Sequence, residues 1–496
     1  MVLELFRSSL QGHDPIAALR VGLIGEGAMY EGPFGERRLT YADFTASGRA
    51  LRQVEDFVAE HVLPYYANSH TESSFCGGYT TRLREEARGE IARITGAGPD
   101  CTVIFTGSGA TAAINRAVAL LGVAGAVRRG WSGLLKGKAA RPLVLHGPYE
   151  HHSNILPWRE SGAEVIEIPE GPSGGPDMAA LEEALRGAGD RPMVIGTFSA
   201  ASNVTGLLSD VAAVTRLLKS YGALALWDYA GGGPYLPIAM APAADAEIDA
   251  IFLSPHKFVG GPGASGVLII RNAAVHTTRP TWPGGGSVSY VSPWGHDYVA
   301  NLAEREEAGT PNVIGDIRAA LAMLVKEVIG TDRIKARDED LVAKARARWA
   351  DVPGLTVLEG DKTNRLPIFS FILKRPDGSV VHHHLVTRLL SDVYGIQARG
   401  GCACAGPYGH RLLHVARPLS ERIRGEILAG HEIEKPGWTR LNLSYVMDET
   451  TVDFILDSVA DLSRTTEHWL SLYDADVRSG QFHVAADKVE AQAQTA

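Results

Sequence analysis

The chain has 496 residues, and its 48 lysines and arginines against 57 aspartates and glutamates give a formal net charge of −9 at pH 7. That balance argues against a nucleic-acid binder steered by a positive field and leaves small molecules or protein as partners. Hydrophobic residues at 45% and charged residues at 21% exclude disordered, collagen-like and low-complexity classes and leave an ordinary globular protein with a large core.

Four cysteines in this length make no disulfide framework, so a reducing, cytoplasmic setting is expected. Residues 1–10 carry Glu4 and Arg7 within their apolar stretch and predict no signal peptide. No apolar run reaches the roughly 18 residues a membrane span needs.

From residue 100 onward, short apolar runs alternate with helical-period stretches. Strands are expected at 102–105, 142–146, 164–168, 193–198, 224–227, 250–253 and 266–270, with crossover helices at 110–121, 178–186 and 208–220. This is the α/β pattern of a large, mostly parallel, doubly wound seven-stranded sheet. Residues 272–315, rich in Gly, Pro and Trp, predict a long functional loop region. A smaller α+β unit follows, with helices at 317–329, 341–349 and 381–393 and strands at 355–358 and 368–373. The Ala/Gln-rich stretch 485–496 predicts a frayed tail.

The chemistry concentrates at expected strand ends, where open α/β sheets bind ligands. Ser254-Pro255-His256-Lys257 follows the strand 250–253, and Trp227-Asp228 ends its neighbour. A lysine able to form a Schiff base and an aspartate able to pair with a pyridinium nitrogen are the two protein groups that pyridoxal phosphate requires. Taken singly, Lys257 reads as a surface charge and Asp228 as a helix cap. Thr106-Gly107-Ser108-Gly109-Ala110-Thr111 lies between a strand and a long helix, where backbone amides and a hydroxyl from Ser108 or Thr111 would hold a phosphate, although a tight connection explains the glycines equally well. Glu150-His151-His152-Ser153-Asn154 follows another strand, so an imidazole there could stack on a flat ring or transfer protons.

In this order the motifs resemble the class V aminotransferase and cysteine desulfurase family of fold type I pyridoxal phosphate enzymes, nearest the desulfurase and selenocysteine lyase branch, over about residues 40 to 447. The resemblance implies a large cofactor domain at 41–316, a small domain at 317–480, an N-terminal segment at 1–40 packing near the small domain, and a flexible tail at 481–496. Asp43 to Arg49, ending Ala46-Ser47-Gly48-Arg49, resembles the N-terminal active-site segment, with Ala46 and Ser47 toward substrate, and Asn68-Ser69-His70-Thr71-Glu72 resembles the loop after it. The resemblance implies His151 stacked on the ring, Asn203 near the phenolic oxygen, Asp228 on the pyridine nitrogen and Lys257 as the Schiff-base lysine. It further implies Ser254, His256 and Thr111 on the phosphate, and Thr310 of Gly309-Thr310-Pro311-Asn312 reaching it across a homodimer interface.

In Arg399-Gly400-Gly401-Cys402-Ala403-Cys404-Ala405-Gly406-Pro407, Cys404 stands where the desulfurase pattern places its nucleophile, five residues after Arg399, and Cys402 stands where a histidine is common. Arg440 resembles the clamp for the substrate carboxylate, a task suited to a bidentate guanidinium. Gly231 departs from the pattern, replacing a glutamine or histidine that usually contacts the cofactor. The expected activity is conversion of L-cysteine to L-alanine with sulfur passed to Cys404, for onward delivery to an acceptor protein. Transamination, epimerisation or β-elimination on another amino acid uses the same cofactor chemistry. A metal-binding regulatory protein using Cys402, Cys404, His410 and His414, with His382-His383-His384 as a further candidate, is the reading from another class. The cysteine spacing is not that of a zinc site, and an exposed histidine run explains residues 382–384 better, so no metal centre is expected.

Overall fold

A computed structural model describes residues 2–12, 14–69, 71–125 and 141–485. His70 of the 68–72 loop and the tail from residue 486 lie outside the described residues. The chain divides into two compact units: Met1–Ile24, Ser47–Ser202 and Leu208–Lys335 form the first, and Gly25–Ala46, Asn203–Leu207 and Ala336–Ala496 the second. No helix among the described residues is long and apolar enough to cross a membrane.

The first unit is built on the seven expected strands: β1 Cys101–Thr106, β2 Leu143–His146, β3 Glu164–Glu167, β4 Val194–Ser199, β5 Leu224–Asp228, β6 Ala250–Leu253 and β7 Gly266–Arg271. They form one sheet in the order β1-β7-β6-β5-β4-β2-β3. β7 alone runs against its neighbours, while β6, β5, β4, β2 and β3 pair in parallel. Antiparallel pairing on both sides of β7 makes β1 run the same way as β6, so six strands end at one edge. β6 is buried along its whole length, as the continuous apolar run 250–253 requires of a strand covered on both faces. Ile104, Ile114, Val144, Trp158, Leu226 and Phe252 pack into one core.

Around the sheet lie α1 Phe75–Thr95, α2 Gly109–Leu120, α3 Met178–Arg186, α4 Val211–Ser220 and α5 Val313–Ile329. α4 starts three residues later than its apolar spacing suggests. The Asp210 side chain accepts from Ala213 N at 2.9 Å and fixes that start. α1 was not legible, because arginines and glutamates, Arg84 and Glu90 buried among them, interrupt its apolar stripe. The stretch 272–315 is not all loop: Val288–Ser292 and Gly295–Tyr298 pair as a hairpin, and Leu302–Glu306 is a short helix.

α6, Thr331–Trp349, begins ten residues before the expected 341 because its first half is almost entirely charged. In the second unit, β8 Leu355–Val357, β9 Ile368–Leu373, β10 Arg399–Gly401 and β11 Trp438–Asn442 form a sheet in the order β8-β9-β11-β10. α7 His383–Tyr394 packs on it, and α8 Glu449–Leu470 packs against α7. Trp349 packs edge-on against Phe369, ring centroids 5.3 Å apart, and donates its indole N–H to Leu456 O at 3.0 Å. The parallel pair Thr40–Tyr41 with Ile396–Gln397 ties the early segment into this unit.

Candidate active site

In the first unit the parallel pairing of β5 with β6 sets Asp228 opposite Phe252. Lys257 follows β6 by four residues, in the turn Pro255–Lys257. Both therefore emerge at the edge where the parallel strands end. Asp228 is buried, and its Oδ1 accepts from Ala230 N at 2.7 Å. Burial pushes its carboxyl above the usual carboxylate range, and the Ala230 N–H and the Lys257 charge draw it partly back. Ser47 joins the same turn, its hydroxyl 3.3 Å from His256 O.

The start of α2 lies against that turn. Ser254 Oγ accepts from Ala110 N at 2.9 Å, while Ser108 occupies the cap position without using its hydroxyl on the helix. Gly109 has φ +59°, and a Cβ there would fall 2.8 Å from Ser254 Oγ and 2.9 Å from His256 Cε1. Only glycine permits this approach. Burial first, then the neighbouring Lys257 charge, lower the His256 imidazole to about 4, so it is neutral at pH 7.

Thr111 Oγ1 lies 2.7 Å from Ser153 Oγ, which lies 2.9 Å from His151 Nδ1. Nδ1 also accepts from Ser153 N at 3.1 Å. The neutral ring therefore carries its proton on Nε2. Ser153 is thus a positioning residue that the sequence reading missed. Thr310 is exposed and, among the described residues, makes no hydrogen bond with Ser108, Thr111, Ser254 or His256.

Two buried groups behind this edge were also missed. Glu150 accepts from Asn154 Nδ2 at 2.6 Å, from Ser199 Oγ at 2.8 Å and from Ser199 N at 2.8 Å. Burial still pushes its carboxyl up to about 7. Lys326 of α5 is buried and donates to Gly233 O at 2.6 Å and to Leu236 O. The glycine-rich turn after Asp228, where Gly231 departs from the family pattern, is thus held from outside by an ammonium group. A lone lysine on an apolar helix face was the available signal.

In the second unit, β10 and β11 place Arg399 directly opposite Arg440. Two like charges so paired repel, and Asp43 resolves the conflict. Its Oδ2 accepts from Arg399 Nε at 2.9 Å and its Oδ1 from Arg440 Nη2 at 3.1 Å. Arg440 is buried and also donates to Asn203 O at 2.9 Å, while Arg399 is exposed. Ala46 closes a turn onto Asp43, its N–H donating to Asp43 O at 2.9 Å.

Beyond β10 the chain turns sharply. Ala403 and Cys404 have φ of 50° and 54°, a left-handed conformation unusual outside glycine, costing about 1 kcal/mol each. Asn203 Nδ2 donates to Ala403 O at 2.8 Å and braces the turn. Asn203 Oδ1 is buried with no hydrogen-bond partner among the described residues. Cys404 is exposed and Cys402 half-buried, both as free thiols. His410 is tied to Gly406 O and Ser420 Oγ at 2.8 Å each, which takes up both ring nitrogens.

Taken unit by unit, the residues fit a phosphorylated aromatic cofactor. A helix start with a glycine-made opening, hydroxyls and a neutral imidazole suit the phosphate. A buried carboxylate suits a ring nitrogen that takes up a proton, and an amine stands beside it. The second unit, by itself, holds an unsatisfied amide oxygen, an arginine pair and an exposed thiol.

Residues 40–424 match the family model described as aminotransferase class-V. A protein named probable cysteine desulfurase from Vibrio cholerae is 30% identical over 373 residues, covering 74% of this chain and 85% of that protein. One of the same name from Streptomyces coelicolor is 29% identical over 376 residues, covering 75% and 84%. The solved structure of cysteine desulfurase from Thermococcus onnurineus aligns with a TM-score of 0.68 over 86% of this chain and 95% of that one, and at 24% identity this speaks to the fold.

Proposed function

From its membership of the aminotransferase class-V family, to which this chain belongs, we propose that the enzyme is a pyridoxal phosphate dependent cysteine desulfurase. L-cysteine and the Cys404 thiol give L-alanine and a persulfide on Cys404. The Cβ–S bond of cysteine and the S–H bond of Cys404 break, one S–S bond and one Cβ–H bond form, so that the thiol's proton balances the new methyl hydrogen, and the proton taken from Cα is returned to the product. The observation that carries this reading is the exposed Cys404 in its braced left-handed turn, five residues beyond an arginine that shares Asp43 with Arg440.

Lys257, Asp228, His151, Ser108, Thr111, Ser254 and His256 would hold the cofactor, and the family resemblance assigns Asn203 a place near its phenolic oxygen. When bound, pyridoxal phosphate supplies an electron sink that lets charge build up at the substrate Cα. Lys257 Nζ would move the proton at Cα, and the Asp228 carboxylate would hold the ring nitrogen in its protonated form. His151, with its proton on Nε2, presents a neutral ring face for stacking. Arg440 orients the substrate carboxylate, with Arg399, Ala46 and Ser47 around it. Cys404 Sγ takes the sulfur, and an acceptor protein or thiol then removes it. The same reading carries a homodimer in which Thr310 serves the partner's phosphate site, and a cytoplasmic location.

The test is product analysis with L-cysteine and a reducing thiol, following alanine and sulfide. Equal amounts are expected from the wild type, with loss of at least about 100-fold in Cys404→Ala and Lys257→Ala. Cys404→Ala keeps the visible cofactor absorbance and Lys257→Ala loses it. Alanine release at the wild-type rate by Cys404→Ala would sink the proposed role of that thiol.

A further inference from the structure

The histidine run 382–384 is not the exposed stretch its sequence suggests. His383 is buried, at 6% exposed, and its two neighbours are half-buried. The three rings pack on one another, with centroids 4.3 Å apart for His382 and His383 and 4.4 Å for His383 and His384. One nitrogen from each ring lies within 4.8 Å of the other two.

Hydrogen bonds fix which nitrogens carry lone pairs. His384 Nδ1 lies 2.8 Å from Gly480 O and must donate to it, leaving the lone pair on Nε2. His382 Nε2 lies 3.1 Å from Ile433 O and donates likewise, leaving the lone pair on Nδ1, which accepts a long bond of 3.2 Å from His384 N. His383 Nε2 is buried with no partner among the described residues. A buried imidazole nitrogen left unbonded is costly, and a ligand would remove that cost. Ring N–H groups held by backbone carbonyls are also the usual outer support of metal-bound histidines.

We propose that His382 Nδ1, His383 Nε2 and His384 Nε2 bind a borderline divalent transition cation of the Zn2+ class, with water completing a tetrahedral shell. Bonds of about 2.0–2.1 Å at tetrahedral angles bring nitrogens to about 3.4 Å from one another. Rotation of the side chains at the start of α7 closes the difference and exchanges the long His384 N bond for a metal bond. All three rings must be neutral to bind.

The site borders the strand that leads to the cysteine turn. A Cβ on Gly400 would fall 2.9 Å from His384 Cδ2, and one on Gly437 would fall 2.9 Å from both His383 Cε1 and Gly401 Cα. A bound cation would therefore stiffen the start of α7 where β10 packs against it, just ahead of Cys402. This placement is structural and independent of the desulfurase reading.

The experiment uses the full chain with its cofactor, purified without a polyhistidine tag, stripped with chelator and titrated with ZnCl2 by calorimetry. One zinc ion per chain is expected, with a rise of about 3 °C or more in the unfolding temperature. His383→Gln and His384→Gln should each weaken zinc binding by at least about tenfold, and Cys402→Ser with Cys404→Ser should leave it unchanged. His384 is half-buried, so its variant decides the matter if His383→Gln fails to fold. Absence of saturable binding, equal affinity in His384→Gln and wild type, or loss of binding in the cysteine variant would each overturn the proposal.

Discussion

Asp43 is the residue on which the second unit's charged groups depend. One carboxylate holds two guanidinium groups that the strand register forces into opposition, and one of them, Arg440, is buried. Removing a partner of a buried ion pair costs about 3–5 kcal/mol, because the remaining charge loses its compensation. Asp43→Asn keeps the shape and removes the charge, so it should lower stability by about 3 kcal/mol. On the proposed function it should also raise KM for L-cysteine by about tenfold or more, with a smaller change in kcat, since the carboxylate clamp is loosened while the thiol and lysine are untouched. Denaturant unfolding and steady-state alanine release check the two parts; an unchanged KM would separate Asp43 from substrate binding. The resemblance of residues 43–49 to an active-site segment marks the region but not this role of Asp43. Lys257 and Asp228 could be placed at strand ends from local pattern alone, because Asp228 closes one apolar run and Lys257 follows another by four residues. Asp43 meets Arg399 only through pairing with residues some 356 positions away. Local patterns carry no information about such a pairing.

At the scale of elements, α5 combines a nearly all-apolar surface with one buried ammonium, Lys326, which braces the turn after β5 and stands 5.7 Å from the Phe258 ring centroid. Burial lowers its pKa from 10.5 to about 7. Below pH 7 the lysine is protonated in both the folded and unfolded chain, and the folded state bears the full cost of the buried charge. Between about pH 7 and the unfolded value the folded state has lost the proton and the unfolded chain has kept it. Stability therefore rises with pH across that window, by up to about 1.4 kcal/mol per pH unit. Lys326→Met has no such proton, so the stability of the wild type relative to Lys326→Met should increase steadily from pH 7 to 9.5 in urea unfolding. A flat difference would show that the ammonium keeps its charge. The same elements mark the limits of local pattern. The β-strands of the first unit were legible because a sheet covered on both faces needs continuous apolar runs, as at Ala250–Leu253. α1 and the first half of α6 were not, since their faces are laced with charges that erase the 3.6-residue period.

At the scale of the whole molecule, the second unit is assembled from three separate stretches of chain, Gly25–Ala46, Asn203–Leu207 and Ala336–Ala496. The small α+β character of the last stretch is plain in its sequence. The return of residues 203–207 is not, because five residues are too few to show a period. Yet the short stretches supply bonds that the long one cannot replace. Ser370 Oγ donates to Val204 O at 2.6 Å, Leu366 N to Gly206 O at 2.9 Å, and Asn442 N to Ala42 O at 2.8 Å. Thr40–Tyr41 pairs with Ile396–Gln397, and Asp43 neutralises the Arg399 and Arg440 pair. A fragment of residues 336–496 would keep its own apolar core but expose these strand edges and leave a buried arginine without its carboxylate, the features of a compact state that lacks fixed packing. Expressed alone, it should show helical far-ultraviolet dichroism, weak near-ultraviolet signal, rapid proteolysis and no cooperative unfolding transition. A sharp transition with native-like near-ultraviolet dichroism would mean that the 25–46 and 203–207 stretches decorate a unit that folds without them. The bonds they supply predict the opposite.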